Sequence, residues 1–132
     1  MTATVTSIPG SSSLLWGGVA AYSNECKSRL LGVSPEILAK HGAVSREVAR
    51  AMAEGILAAS GADVALAITG IAGPDGGSPE KPVGLVWFSL RAKDGSGREE
   101  SAVFPGDRAA VRSAAAVHAM LGAAEIARGF RA

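Results

Sequence analysis

Cysteine is almost absent from this sequence, in which Cys26 is the single thiol. One cysteine excludes an intramolecular disulfide and a cysteine-based zinc cluster. Cys26 lies in a predicted helix with no histidine within several residues, so we interpret it as a structural thiol. His41 and His118 form no ligand set with carboxylates at metal spacing. We therefore expect no metal site and interpret both histidines as structural.

Net charge and long apolar runs are also scarce. Thirteen basic residues against twelve acidic ones leave a formal charge of +1, which indicates no basic surface for nucleic acid. No apolar run approaches the roughly 20 residues that span a bilayer. The first residues carry no positive charge ahead of an apolar segment. We therefore expect a cytoplasmic protein that binds neither nucleic acid nor membrane.

The pattern of apolar residues predicts an α/β fold. At 132 residues and 48% hydrophobic content, the chain is the size of one domain with a real core. Alternating strands and helices predict a three-layer α/β/α arrangement around a mixed sheet, with a parallel part and an antiparallel hairpin that turns at 94–97. The predicted strands are 17–22, 62–68, 83–90 and 98–104, and the predicted helices are 25–31, 35–41, 46–60 and 108–127.

The stretch from Ile68 to Gly84 is the main candidate for a binding site. An apolar strand runs into a loop rich in glycine and proline, and a second strand follows. Glycines allow positive φ and close approach of a ligand to the backbone, which suits a cradle of peptide N–H groups for an anion or a carboxamide. A passive connection between strands is the alternative. We favour a ligand loop because long ordered loops are usually functional.

The junction between the first predicted strand and the next helix, Tyr22 to Lys27, is the second candidate. Open α/β sheets bind ligands at the carboxyl ends of strands. We expect Asn24 to cap this helix and Gly32 to end it. A solvated Lys27 and a packing Tyr22 are the alternatives to functional roles. Arg108, in the first turn of the last helix, is poorly placed for the helix dipole, which suggests a partner carboxylate or a substrate phosphate rather than a plain surface position.

Five motifs follow one another along the chain: GVAAYSNECK at 18–27, HGAVS at 41–45, TGIAGPDGG at 69–77, KPVG at 81–84 and FPGDR at 104–108. In this order and spacing they resemble the carboxy-terminal domain of the CinA (competence/damage-inducible) family. The resemblance covers residues 8 to 130.

The resemblance implies nicotinamide-nucleotide amidohydrolysis, in which nicotinamide mononucleotide and water give nicotinic acid mononucleotide and ammonia. It implies no metal or organic cofactor, a pyridine nucleotide as small-molecule partner, and a homo-oligomer. Lys27 matches the family's lysine and is the candidate general base, with Tyr22 as second catalytic candidate. The candidate substrate-binding residues are Ser23, Asn24, Thr69, Gly70, Gly73, Gly76, Gly77, Lys81 and Arg108.

One family segment, AESCTGG, has no counterpart in residues 1–132. In the family it precedes the part that aligns with Thr6 to Ser12, and it supplies the serine thought to be the nucleophile. We therefore interpret residues 1–132 as a single CinA C-terminal-like domain without the family's first strand and nucleophile segment. For its activity we favour a hydrolase that acts on a linear amide, with impaired turnover. The alternative is a catalytically inactive nucleotide-binding or interaction domain. Ser23 as replacement nucleophile is disfavoured by its expected place in a helix cap.

A sheet with a bare edge predicts self-association. Burying a few hundred Å2 of apolar surface is worth several kcal/mol at about 25 cal/mol per Å2, and an open strand edge pairs readily. We expect a dimer or larger assembly with Leu14, Leu15 and Trp16 near the contact.

Overall fold

The computed structural model describes residues 1–129, and Phe130, Arg131 and Ala132 lie outside the described residues. Its regular elements alternate much as the apolar pattern predicts. They are α1 (Thr2–Thr6), a short 3-10 turn (Ser11–Ser13), α2 (Asn24–Leu31), α3 (Pro35–His41), α4 (Arg46–Ser60), β1 (Val64–Gly70), β2 (Leu85–Ala92), β3 (Gly97–Val103) and α5 (Arg108–Gly129).

Serine side chains begin three of the helices. The hydroxyl oxygens of Ser23, Ser34 and Ser45 each accept a hydrogen bond from the backbone N–H three residues later, at 3.1, 3.2 and 3.3 Å. A serine in this place satisfies one of the N–H groups that a helix start leaves without a partner. The prediction that Asn24 caps α2 is therefore wrong, because Ser23 has the extended backbone of a cap and Asn24 is the first helical residue. Gly32 ends α2 as predicted, in the left-handed conformation.

The sheet has three antiparallel strands in the order β1-β2-β3. β1 pairs with β2 from Val64 opposite Ala92 to Gly70 opposite Val86. β2 then pairs with β3 through a turn at 93–96, one residue earlier than the predicted turn at 94–97. β1 is an edge strand within the described residues, but it is not solvated, since its residues from 64 to 69 are buried or half-buried.

The predicted mixed sheet is wrong in one respect, because residues 17–22 form no strand and nothing in residues 1–129 pairs in parallel. Two adjacent glycines, Gly17 and Gly18, weaken the strand tendency of this segment. A strand also needs a backbone partner, and the N–H groups of residues 16–21 have none among the described residues. The apolar pattern therefore indicated a segment that favours a strand, but it could not show whether another strand pairs with that segment.

Helices cover both faces of the sheet, which confirms the three layers and the α/β class. On one face, α2 and α4 pack with Ala67 of β1 around Val48 and Met52. On the other face, α5 packs on β2 around Phe88 and Leu90. None of the helices in the described part of the chain combines the length and apolar character of a membrane span.

Candidate functional site

Lys27, the fourth residue of α2, is buried, with only 6% of its surface exposed. Its ammonium group donates one hydrogen bond, to the carbonyl oxygen of Tyr22 at 3.5 Å. No carboxylate of residues 1–129 lies within 4.0 Å of it. Burial lowers the pKa of Lys27 below its ordinary value by removing water from the charged form, and a smaller effect of the neighbouring Cys26 opposes this shift. Such an amine is available as a base closer to neutral pH than a solvated lysine.

The other three candidates at this junction lie at the surface. Tyr22 is 88% exposed, so its ring lies largely in solvent, and its hydrogen bond with Lys27 is made by the backbone. Ser23 uses its hydroxyl oxygen as the cap of α2. Asn24 is exposed at the start of that helix. The junction therefore combines one buried amine with three exposed polar side chains.

Glycines let the loop between β1 and β2 fold back closely on itself. A Cβ at Gly77 would lie 2.8 Å from the backbone nitrogen of Val83. Because that atom belongs to the backbone, a side-chain rotation could not remove the clash. Gly73 is buried with φ of +80°, a conformation that favours glycine. Gly70 ends β1, and Gly76 lies exposed further along the loop. The compact path leaves the backbone N–H groups of Asp75, Gly76 and Gly77 without partners among the described residues.

Three of the predicted site residues hold this loop in place. Thr69 donates from its hydroxyl to the carbonyl oxygen of Ala43 at 2.7 Å. Lys81 donates to the carbonyl oxygen of His41 at 2.6 Å. Arg108, at the start of α5, donates to the carbonyl oxygen of Gly73 at 3.0 Å. The loop is therefore tied to the α3–α4 connection on one side and to α5 on the other.

The structure thus brings the predicted residues together in two groups. Tyr22, Ser23, Asn24 and Lys27 form the α2 group, and residues 69–81 with Arg108 form the loop group. No hydrogen bond or ion pair within residues 1–129 joins the two groups. No cluster of three or more His, Cys, Asp or Glu side chains suited to a metal occurs in that part of the chain.

A cavity of about 660 Å3 lies between α5 and the carboxyl end of β1. Gly70 and Ala72 line it where the loop begins, and Arg112 lines it from α5. Arg112 makes no ion pair within the described residues, and the sequence reasoning missed it. The signal that could have found it is spacing, because Arg112 follows Arg108 by one helical turn and shares its face.

Comparison with known proteins agrees with this architecture. The CinA C-terminal domain family matches residues 1–126. A CinA-like protein of Gemmatimonas aurantiaca is 54% identical over 112 residues, which cover 85% of this chain and 26% of that protein. A protein of Enterobacter agglomerans named nicotinamide-nucleotide amidohydrolase PncC is 53% identical over 116 residues, which cover 88% of this chain and 71% of that protein.

Solved structures agree as well. The crystal structure of a CinA superfamily protein from Klebsiella pneumoniae 700603 superposes with a TM-score of 0.89 at 37% identity, covering 94% of this chain and 77% of that one. The fold and the sequence together define an α/β domain of the CinA type. The chain belongs to the CinA C-terminal domain family. It spans less than a third of the length of the CinA-like relatives it matches, between 26% and 29%.

Proposed function

We propose that this domain binds a nicotinamide nucleotide and is built for hydrolysis of its carboxamide. The reaction takes nicotinamide mononucleotide and water to nicotinic acid mononucleotide and ammonia. The name of the Enterobacter agglomerans relative supports this substrate, and the high identity extends over most of that relative. No metal or organic cofactor takes part in the proposed reaction.

Buried Lys27 is the observation that carries the proposal. An amide is a poor electrophile, so its hydrolysis needs a nucleophile whose proton is removed as it attacks. A neutral Lys27 amine accepts that proton as the new C–O bond forms, and the proton then passes to the departing nitrogen as the C–N bond breaks. The lowered pKa of Lys27 favours this neutral form. The exposed phenol of Tyr22 is the proposed second catalytic group, with Ser23 and Asn24 beside it as substrate contacts.

The loop group supplies the proposed binding site. The free N–H groups around Gly76 and Gly77 suit the carboxamide oxygen, on which negative charge develops during attack. Gly70 and Gly73 keep the backbone compact enough for close approach. Arg108 uses one nitrogen on Gly73, and a guanidinium has further donors for a phosphate. Thr69 and Lys81 act by holding the loop.

A specific observation favours binding with impaired turnover for this chain alone. Lys27 makes its one hydrogen bond to a backbone carbonyl, and no hydroxyl of residues 1–129 lies within hydrogen-bond reach of its amine. The base therefore lacks a nucleophilic side chain among the described residues. The alternative function, a nucleotide-binding domain without catalysis, rests on this same absence of a neighbouring hydroxyl.

One pair of measurements tests the proposal. Purified chain is incubated with nicotinamide mononucleotide while released ammonia is followed, and binding is titrated by calorimetry in parallel. We expect saturable binding, and any ammonia release to disappear in Lys27→Ala. The matched control is Lys93→Ala, an exposed lysine that pairs with Asp63 where β1 begins, and it should leave both readouts unchanged. Absence of both binding and turnover in the wild-type chain would overturn the proposal.

Self-association and a cytoplasmic location are also part of the proposal. Leu14 and Trp16 are 80% and 62% exposed, which supports a contact between copies of the chain. Light scattering at micromolar concentration should report a dimer or larger assembly, and Trp16→Ser should shift it towards monomer. A monomeric wild-type chain would contradict this part.

A further inference from the structure

Three consecutive carbonyl groups accept hydrogen bonds from side chains in the segment that joins α3 to α4. The carbonyl oxygen of His41 accepts from the amine of Lys81 at 2.6 Å. The next carbonyl oxygen, that of Gly42, accepts from the hydroxyl of Ser45 at 2.9 Å. The third, that of Ala43, accepts from the hydroxyl of Thr69 at 2.7 Å. The two outer carbonyls therefore hold the candidate ligand loop and the end of β1, whereas the middle one is held from within the segment.

Ser45 fixes this segment to the start of α4. The residue is only 6% exposed. Its hydroxyl donates to the carbonyl oxygen of Gly42 and also accepts from the backbone N–H of Val48 at 3.3 Å. A hydroxyl can do both, since it has one donor hydrogen and two acceptor lone pairs. One buried side chain therefore joins α4 to the middle of the three carbonyls.

Gly42 allows the segment to take its shape. Its backbone has φ of +74° and ψ of 161°, a conformation that is essentially limited to glycine. A Cβ at this position would also lie 3.2 Å from the amine nitrogen of Lys81. Glycine is therefore favoured here both by the backbone conformation and by the close approach of Lys81.

We infer that Ser45 and Gly42 are positioning residues for the candidate ligand loop. They hold the 41–45 segment in the shape in which its outer carbonyls meet Lys81 and Thr69, and this role rests on the nucleotide binding proposed above. Without the Ser45 hydroxyl, the middle carbonyl loses its donor and the two outer acceptors are no longer fixed relative to α4. The backbone N–H groups at 75–77 then lose their fixed position, which weakens binding because the site is less preorganised.

Ser34 provides a matched control for Ser45. Its hydroxyl oxygen begins α3 in the same way, by accepting from the backbone N–H of Ile37 at 3.2 Å, but it donates no hydrogen bond within residues 1–129. Ser34→Ala therefore removes a helix cap alone, whereas Ser45→Ala removes a cap and the hold on Gly42. Ser45→Thr keeps both the hydroxyl and a good helix cap.

Hydrogen exchange of single amides, measured by NMR on the full chain, reports the order of the loop without any ligand. The N–H of Ser78 donates to the carbonyl oxygen of Lys81 at 2.8 Å, and the N–H of Lys81 donates to the Ser78 hydroxyl at 3.0 Å. We expect both amides to exchange at least tenfold faster in Ser45→Ala than in Ser34→Ala, with each rate taken relative to the amide of buried Phe88. Ser45→Thr should restore the wild-type rates. Ser45→Gly removes the same hydroxyl at a smaller cost to the helix cap and should repeat the result of Ser45→Ala.

Calorimetric titration with nicotinamide mononucleotide measures the effect on binding. We expect Ser45→Ala to bind at least fivefold more weakly than wild type, and Ser34→Ala and Ser45→Thr to bind within twofold of it. Equal relative exchange in Ser45→Ala and Ser34→Ala, or a loss that Ser45→Thr does not restore, contradicts the inference, as does full affinity in Ser45→Ala. If the wild-type chain does not bind the nucleotide, the proposed function fails, whereas the exchange rates still decide whether Ser45 positions the loop.

Discussion

Gly55 offers a sharp test of how α2 is positioned, because α4 touches α2 at this residue. A Cβ built on Gly55 would lie 1.8 Å from the carbonyl oxygen of Leu31, 2.7 Å from its carbonyl carbon and 3.1 Å from its Cα. These are backbone atoms at the end of α2, so they cannot rotate away. Restoring an ordinary contact of about 3.5 Å requires the Cβ and the carbonyl oxygen to move apart by roughly 1.7 Å.

Gly55→Ala should therefore destabilise the domain. Overpacking costs about 1–3 kcal/mol and occasionally more, and a backbone clash belongs at the upper end. Better helix propensity returns about 1 kcal/mol. We expect a net loss of about 2 kcal/mol, which lowers the melting temperature by roughly 6–12 °C. Thermal unfolding followed by circular dichroism measures it.

Gly122→Ala is the matched control in α5. A Cβ at Gly122 would meet the end of the Leu90 side chain at 3.0 Å and a guanidinium nitrogen of Arg98 at 3.3 Å. Flexible side-chain ends can move, so the propensity gain should dominate, and we expect between no change and about 1 kcal/mol of added stability. Equal stability of Gly55→Ala and wild type, or equal losses in the two variants, would refute the packing argument.

Two further predictions concern Thr69 and Lys27. Thr69→Val removes the hydroxyl that donates to Ala43 and leaves that carbonyl without its partner. Urea denaturation should therefore show that the free energy of unfolding falls by about 1–2 kcal/mol. The control, Thr4→Val at an exposed position, should change it by less than about 0.5 kcal/mol. Lys27→Met keeps an apolar stem and removes the buried charge, so it should be more stable than wild type at neutral pH. Folding lowers the pKa of Lys27 below its ordinary value of 10.5. Between these two pKa values the unfolded chain binds more protons than the folded chain, so the free energy of unfolding of the wild type increases as pH rises towards 10.5. The advantage of the methionine variant should shrink over that window, and an advantage that stays constant with pH would contradict the burial of the charge.

Local signals predicted the helices well because each boundary has its own chemistry. Ser34 followed by Pro35 starts α3, and Ser45 starts α4, as the capping pattern indicates. Such signals depend on a few neighbouring residues. The assignment of Asn24 as a cap failed because Ser23, one position earlier, is equally capable of capping and has the extended backbone and the hydrogen bond of the cap.

Pairing between distant segments was harder to predict. The hairpin from β2 to β3 was accessible because Asp94 and Gly95 mark the turn. Residues 17–22 have a strand-like composition, yet a strand exists only where another backbone lies alongside. The candidate site shows the same division. Glycine spacing indicated the loop, whereas the carbonyl groups that hold Lys81 and Arg108 lie 40 and 35 residues away and leave no mark in the local sequence.

The partners of the cations indicate what the loop group can bind. Arg29, Arg50 and Arg98 pair with carboxylates, as do other basic residues of the described chain. Lys81 and Arg108 donate instead to backbone carbonyls, and neither has a carboxylate of residues 1–129 within 4.0 Å. A carbonyl orients a cation without neutralising it. Their positive charge therefore stays available to an anion, and a mononucleotide phosphate has the sign that this arrangement favours.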